Sequence, residues 1–183
     1  KATQSFKFFN VQFTGVPNTT VIKCGGTINE SENKFINCTF TYIKTLLEID
    51  NLEAVNHTMV ASDFENIYGH LVVAKKGGQL QFFGGSIIFN AETKNDCSIF
   101  STGDDYATSG FTNCVLMCYG VRGEFRGEFS RVLNIKDNNM PLSIVFDTCT
   151  FAKFDYSQDF AECTVQNNGN IIFRNCILPS SVR

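Results

Sequence analysis

The chain has 183 residues, with 15 Lys plus Arg against 18 Asp plus Glu and a net charge of −3. That balance excludes a strongly basic nucleic-acid surface, so no nucleic-acid partner is expected, and it excludes an acidic disordered tail as the main theme. Hydrophobic residues make up 43%, enough for one domain's core, and the surplus lies in 19 Phe, 8 Cys and 18 Asn. No apolar run reaches the roughly 18 residues of a membrane span, so direct membrane insertion is not expected. No signal-peptide pattern opens the chain, which begins at Lys1 rather than Met and reads as a processed chain or a segment of a longer one.

In chain order, a short motif alternates with a looser apolar strand. The motif is Phe, any residue, Asn, small apolar, any residue, apolar. It first reads Phe8-Phe9-Asn10-Val11-Gln12-Phe13, followed by Thr20-Val21-Ile22-Lys23-Cys24 and the turn Gly25-Gly26. It returns as Phe35-Ile36-Asn37-Cys38-Thr39-Phe40, followed by Leu46-Leu47-Glu48-Ile49 and Asp50-Asn51. Next come Phe64-Glu65-Asn66-Ile67, then Leu71-Val72-Val73-Ala74 with Gly77-Gly78. Phe83-Gly84-Gly85-Ser86-Ile87-Ile88 precedes Ser98-Ile99-Phe100-Ser101 and Gly103-Asp104-Asp105. Phe111-Thr112-Asn113-Cys114-Val115-Leu116 precedes Val132-Leu133-Asn134-Ile135 and Asp137-Asn138-Asn139. Phe146-Asp147-Thr148-Cys149-Thr150-Phe151 precedes Cys163-Thr164-Val165 and Asn167-Asn168-Gly169, and Phe173-Arg174-Asn175-Cys176-Ile177-Leu178 closes the series. No amphipathic helical stretch interrupts this order. Self-similarity at such spacing is the signature of a solenoid. An all-β sandwich is the competing architecture, and seven copies near a common spacing argue against it.

Stacked parallel strands explain the composition. Successive rungs lie about 4.8 Å apart, so like residues stack on like. Phe35, Cys38 and Phe40 cannot all point inward along a flat strand. A left-handed bend at Asn37 resolves this, and Asn or Gly suits such a bend. The expected ladder at this corner is Asn10, Asn37, Asn66, Gly85, Asn113 and Asn175, with a distorted bend at Thr148. On these residues the chain resembles the right-handed parallel β-helix of the pectin-lyase-like superfamily. The resemblance implies an all-β, right-handed, single-stranded parallel β-helix of about six to seven rungs, one domain over residues 1–183 within a longer solenoid. It also implies that the looser strands form the face on which that superfamily's enzymes bind polysaccharide. The alternation with Gly25-Gly26-Thr27-Ile28 is similar to polymorphic membrane proteins of chlamydiae and their protist counterparts, although those use Phe-x-x-Asn.

Eight Cys would suggest disulfides in an oxidising compartment. The repeat instead places Cys38, Cys114, Cys149 and Cys176 at one interior position, where Cys acts as a small hydrophobe. Cys24 and Cys163 are expected to face inward, several rungs apart. Mostly free, buried thiols are expected. With no Cys-x-x-Cys and only His57 and His70, neither a metal site nor a cofactor is expected. Four Asn-x-Ser/Thr sequons occur. Asn18, Asn29 and Asn56 fall in turns and suit glycan attachment in a secreted chain, whereas Asn37 belongs to the corner ladder and is expected to be inaccessible.

The most enzyme-like string is Thr102-Gly103-Asp104-Asp105. Paired carboxylates can protonate a leaving group and activate water, which makes Asp104 and Asp105 the catalytic candidates. The resemblance implies further signatures, Asn-Thr-Asp, Gly-His-Gly and Arg-Ile-Lys, that this chain lacks, so the expectation leans away from an enzyme. Arg122-Gly123-Glu124-Phe125 and Arg126-Gly127-Glu128-Phe129 form a tandem repeat that reads as a projecting hairpin. Arg122, Phe125, Arg126 and Phe129, with Tyr106, are the candidate binding residues. The expected function is a non-catalytic, extracellular or particle-surface module, a stalk or adhesin segment contacting a glycan or protein partner through its loops. A polysaccharide-degrading enzyme is the first alternative. A structural subunit packing end to end or as a trimer is the second.

Overall fold

The computed structural model describes residues 5–25, 32–50, 56–103, 113–136, 141–154, 159–163 and 169–180. These residues form nineteen strands and no helix. The strands come in threes. The first turn is β1 (Lys7–Phe9), β2 (Gln12–Thr14) and β3 (Thr20–Gly25), and the second is β4 (Glu32–Ile36), β5 (Thr39–Thr41) and β6 (Thr45–Asp50). The third is β7 (Asn56–Val60), β8 (Asp63–Ile67) and β9 (His70–Ala74), and the fourth is β10 (Gly78–Phe83), β11 (Ser86–Phe89) and β12 (Cys97–Ser101). The fifth is β13 (Cys114–Tyr119), β14 (Arg122–Phe125) and β15 (Ser130–Ile135). The sixth is β16 (Leu142–Asp147), β17 (Thr150–Lys153) and β18 (Ala161–Cys163), and β19 (Asn170–Arg174) follows.

First members of the triplets build a seven-stranded sheet A, second members a six-stranded sheet B, and third members a six-stranded sheet C. Neighbouring strands pair in parallel. The fold is therefore an all-β parallel solenoid. Six complete triplets are separated by five steps along sheets B and C, so from its first triplet to its last the coil advances through about five turns, slightly fewer than the six to seven rungs expected.

Register shows what fills the interior. In sheet A, Phe8, Phe35, Met59, Phe82, Cys118, Phe146 and Phe173 lie on one line. Phe8 stacks on Phe35 with ring centroids 5.3 Å apart, and Phe146 on Phe173 at 4.9 Å. In sheet B, Phe13, Phe40 and Phe64 form a second line, with centroids 5.9 and 5.4 Å apart. Each fully buried Phe contributes roughly 1.5–3 kcal/mol through its apolar area, and each ring pair adds about 0.5–1.5 kcal/mol. At Gly123 an added Cβ would sit 2.6 Å from the Phe151 ring, so the sheet B interior needs glycine there.

Between sheets A and B the chain always spends two residues. The first has positive φ in every turn: Asn10 (55°), Asn37 (52°), Ala61 (46°), Gly84 (68°), Gly120 (65°), Thr148 (55°) and Asn175 (53°). The second enters the interior line Val11, Cys38, Ser62, Gly85, Val121, Cys149 and Cys176. Asn37 Nδ2 donates to Asn10 Oδ1 at 2.7 Å, the hydrogen bond that like residues on successive rungs can make.

Several ladder positions differ from the sequence reading. Asn66 is left-handed (φ 53°) but lies at the corner between sheets B and C, beside Tyr42 (φ 56°), and receives a hydrogen bond from Asn90. Ala61 occupies the expected corner instead. Two corners of one rung both favour left-handed residues, so Phe64-x-Asn66 imitates the motif one sheet later. In the next turn Gly84, not Gly85, is the corner. Gly85 is the following interior position, where a Cβ would come within 2.0 Å of the Ser62 carbonyl oxygen. Asn113 precedes β13 and Cys114 opens it opposite Gly78 and Leu142, so neither is in the corner ladder. That turn uses Gly120 at the corner and Cys118 in the Phe line. Thr148 is not distorted, because its φ matches that of its neighbours. Arg122–Phe125 is the regular strand β14, not a projecting hairpin.

Candidate functional site

Four strands of sheet C each contain two consecutive buried apolar residues: Leu46-Leu47, Leu71-Val72, Ile99-Phe100 and Val132-Leu133. The residue before each pair is polar (Thr45, His70, Ser98 and Arg131), with His70 half-buried and the other three buried. Thr20 pairs with Thr45, and His70 with Ser98, which pairs with Arg131. Lys23 pairs with Glu48, which continues to Val73. Polar side chains thus form rows along the coil axis.

At the edge of this face, where the chain turns from sheet B to sheet C, lies a groove of about 590 Å³. It is lined by Lys44, Tyr68, Gly69, His70, Lys94, Asn95, Asp96 and Phe129, drawn from four successive turns. A hollow of about 200 Å³ adjoins it and shares Lys44 and His70, adding Glu48, Lys75 and Gly103. Gly69 has a local reason: a Cβ there would lie 2.7 Å from Lys44 Cγ, so its absence lets the aliphatic stem of Lys44 cross the turn. Tyr42 stacks on Tyr68 with centroids 6.5 Å apart and holds the ring at the rim.

The acids of this region are already paired. Glu48 lies 3.3 Å from both Lys23 and Lys75. Arg131 bridges Asp96 at 3.5 Å and Glu162. His70 Nδ1 shares a hydrogen bond of 2.8 Å with the Ser98 hydroxyl. Lys44 and Lys94 are exposed and form no ion pair with any described residue. The groove therefore presents unneutralised positive charge beside two aromatic surfaces, a setting that attracts an anionic chain carrying apolar faces. Among the described residues, no group of three or more His, Cys, Asp or Glu is positioned to hold a metal ion.

The sequence candidates separate. Asp104, Asp105 and Tyr106 lie outside the described residues, as does Asn29. Arg122 and Arg126 are exposed on the outer face of sheet B, where both grip the buried Glu124 carboxylate, Arg126 at 2.5 Å. Arg126 also lies 5.9 Å over the exposed Phe154 ring. Phe125 cannot contact a partner: it is fully buried against Phe89, Phe151 and Phe160. Strand alternation puts Phe125 inward and Glu124 outward, which a hairpin reading hid. Phe129 is half-buried and lines the groove. Lys44, Tyr68, His70, Lys94 and Asp96 were not singled out for this groove, because they come from three separate turns and only register unites them.

Asn18 is exposed in a turn and Asn56 is exposed at the start of β7. Asn37 is exposed as well, contrary to expectation, because the left-handed corner sends Cys38 inward and leaves Asn37 on the outside. All eight cysteines are unbridged. Burial pushes the thiols of Cys97 and Cys149 up to about 11 and that of Cys114 up to about 12. Cys118 is raised further by burial and by the neighbouring Cys149 and Cys176. Comparison of the chain with protein families, with curated proteins and with solved structures finds no match.

Proposed function

We propose that this coil is a non-catalytic, surface-displayed binding module that holds an extended acidic glycan in the groove along sheet C. The observation that carries the reading is that Lys44 and Lys94, neither ion-paired with any described residue, are set with Tyr68 and Phe129 in one groove spanning four turns. Rungs repeat about every 4.8 Å, so a polymer of repeating units meets repeated contacts. The three-sheet coil with a left-handed corner between sheets A and B supports kinship with the pectin-lyase-like superfamily. Display outside the cell or on a particle follows from the same reading, since such polymers are encountered there.

Calorimetric titration with polygalacturonate and with heparin, against neutral dextran, tests this. The acidic polymers are expected to bind and dextran is not. Affinity should fall with added salt, because the contacts are ionic. The double change Lys44→Glu and Lys94→Glu should weaken binding about tenfold, each reversal contributing roughly 0.5–1 kcal/mol. Absence of binding to either acidic polymer, or binding indifferent to the double change, refutes the reading. Polymer cleavage that is lost on Asp104→Asn and Asp105→Asn would replace it with a depolymerase.

A further inference from the structure

One residue in the middle of the groove can change its charge. His70 opens β9 and borders both the groove and the adjoining hollow. Lys44 lies in the turn before it and Lys94 in the turn after it, so the imidazole stands between the two lysines along the coil axis. Rungs repeat about every 4.8 Å, which brings all three groups within reach of one anionic chain.

Hydrogen bonding fixes the tautomer of this ring. His70 Nδ1 lies 2.8 Å from the Ser98 hydroxyl, and that hydroxyl lies 2.8 Å from the Phe100 carbonyl oxygen. A carbonyl only accepts and a serine hydroxyl carries one proton, so Ser98 donates to Phe100 and accepts from His70. Nδ1 therefore already carries a hydrogen in the neutral ring. A further proton goes to Nε2 and turns the ring into a cation. Two acids line the same hollows, and cations already match both. Glu48 lies between Lys23 and Lys75, and Asp96 is bridged by Arg131.

We infer that His70 is a proton-gated contact for the ligand: protonated at Nε2, it supplies a third cation between Lys44 and Lys94 and tightens the hold on an acidic glycan as the pH falls from about 7.5 to about 5.5, a range in which histidine ordinarily changes charge. The gate rests on the reading that the groove takes acidic glycans. Linkage fixes the sign. A ligand that binds the protonated ring more tightly also draws a proton onto it, so binding takes up protons as it strengthens. The chain has two histidines, and burial pushes the pKa of His57 down to about 4, so His57 stays neutral across this range.

Calorimetric titration of the 183-residue protein with heparin and with polygalacturonate, which both keep their charge in this range, tests the gate. Each titration is run near pH 7.5, 6.5 and 5.5 in two buffers of different ionisation enthalpy. Binding should be about two- to fivefold tighter at the lowest pH than at the highest, the range of one exposed ion pair. Net proton uptake should accompany binding near pH 6.5. His70→Gln should bind with an affinity that does not change with pH and without proton uptake, whereas His57→Leu should keep both. Binding by the parent that is indifferent to pH, or a pH dependence that survives His70→Gln, overturns the gate and leaves the glycan groove standing. Absence of binding to both polymers at every pH overturns the groove reading and the gate together.

Discussion

Replacing Ala61 by Asn should stabilise the coil. Ala61 is the only alanine at the corner between sheets A and B, held at φ 46° with its side chain exposed. A left-handed residue with a Cβ costs roughly 1–2 kcal/mol, and Asn tolerates it far better. The preceding rung adds to this. Asn37 uses its NH2 on Asn10, so its Oδ1 faces the Ala61 rung and can accept from a new amide. An exposed hydrogen bond of this kind adds about 0.5 kcal/mol. The sum, about 1.5–2.5 kcal/mol, corresponds to a rise in Tm of roughly 3–10 °C for a chain of this size. Ala61→Gly relieves the same strain but frees the unfolded chain by about 0.4–1 kcal/mol, so its gain should be smaller. Ala61→Val should lower Tm, because a β-branched residue suits this conformation least. Thermal melts followed by far-UV circular dichroism give all three values. A Tm for Ala61→Asn equal to or below that of the parent refutes the corner argument, whatever the other two show.

Three further outcomes follow from the interior. His57 is buried, accepts or donates only at Nδ1 to Asn33 at 3.1 Å, and has no partner at Nε2; burial lowers its pKa from 6.5 to about 4. A lowered imidazole pKa means the folded state binds fewer protons than the unfolded one, so stability is full above pH 6.5 and falls by about 3 kcal/mol on the way to pH 4. Urea denaturation across that range should show the slope, and His57→Leu should flatten it. Gly85→Ala should cost about 3 kcal/mol or more, since the methyl would meet the Ser62 backbone and the residue is held at φ 81°; an unchanged denaturation midpoint would contradict the close approach. Native protein treated with iodoacetamide at mildly alkaline pH should be labelled first at exposed Cys163, while buried Cys97, Cys114, Cys118 and Cys149 react only after unfolding, as peptide mass mapping would report.

The parallel coil was legible because a solenoid asks the same residue of the same place many times, and Phe8, Phe35, Phe146 and Phe173 answer alike. Register was legible only where that repetition was strict. In the middle turns Met59 and Cys118 replace Phe in the sheet A line, and Ala61, Gly84 and Gly120 replace Asn at the corner. Each substitute satisfies the same requirement, apolar volume or a left-handed backbone, without the same letter. Phe64 and Asn66 then drew the motif onto the wrong sheet. The groove left still less trace. Lys44, Tyr68 and Lys94 are ordinary residues in sequence and become neighbours only because rungs stack, while Phe125 and Phe129, alike in the tandem repeat, part on opposite sides of the wall.

The two-residue corner also governs how this chain can change length. Six times between a sheet A strand and a sheet B strand, and once more after β19, the count is two. An inserted or deleted residue there acts like a frameshift: every side chain beyond it in the turn exchanges wall for solvent. The stretches leaving sheet C show no such discipline, running from three residues between Ala74 and Gly78 to twelve between Ser101 and Cys114. The stretches entering sheet C vary too, from two residues between Ile67 and His70 to seven between Phe89 and Cys97, so growth and trimming are channelled to the two flanks of sheet C. Lineages descended from this sequence should differ in the length of those flanks while keeping the corner between sheets A and B constant to the residue.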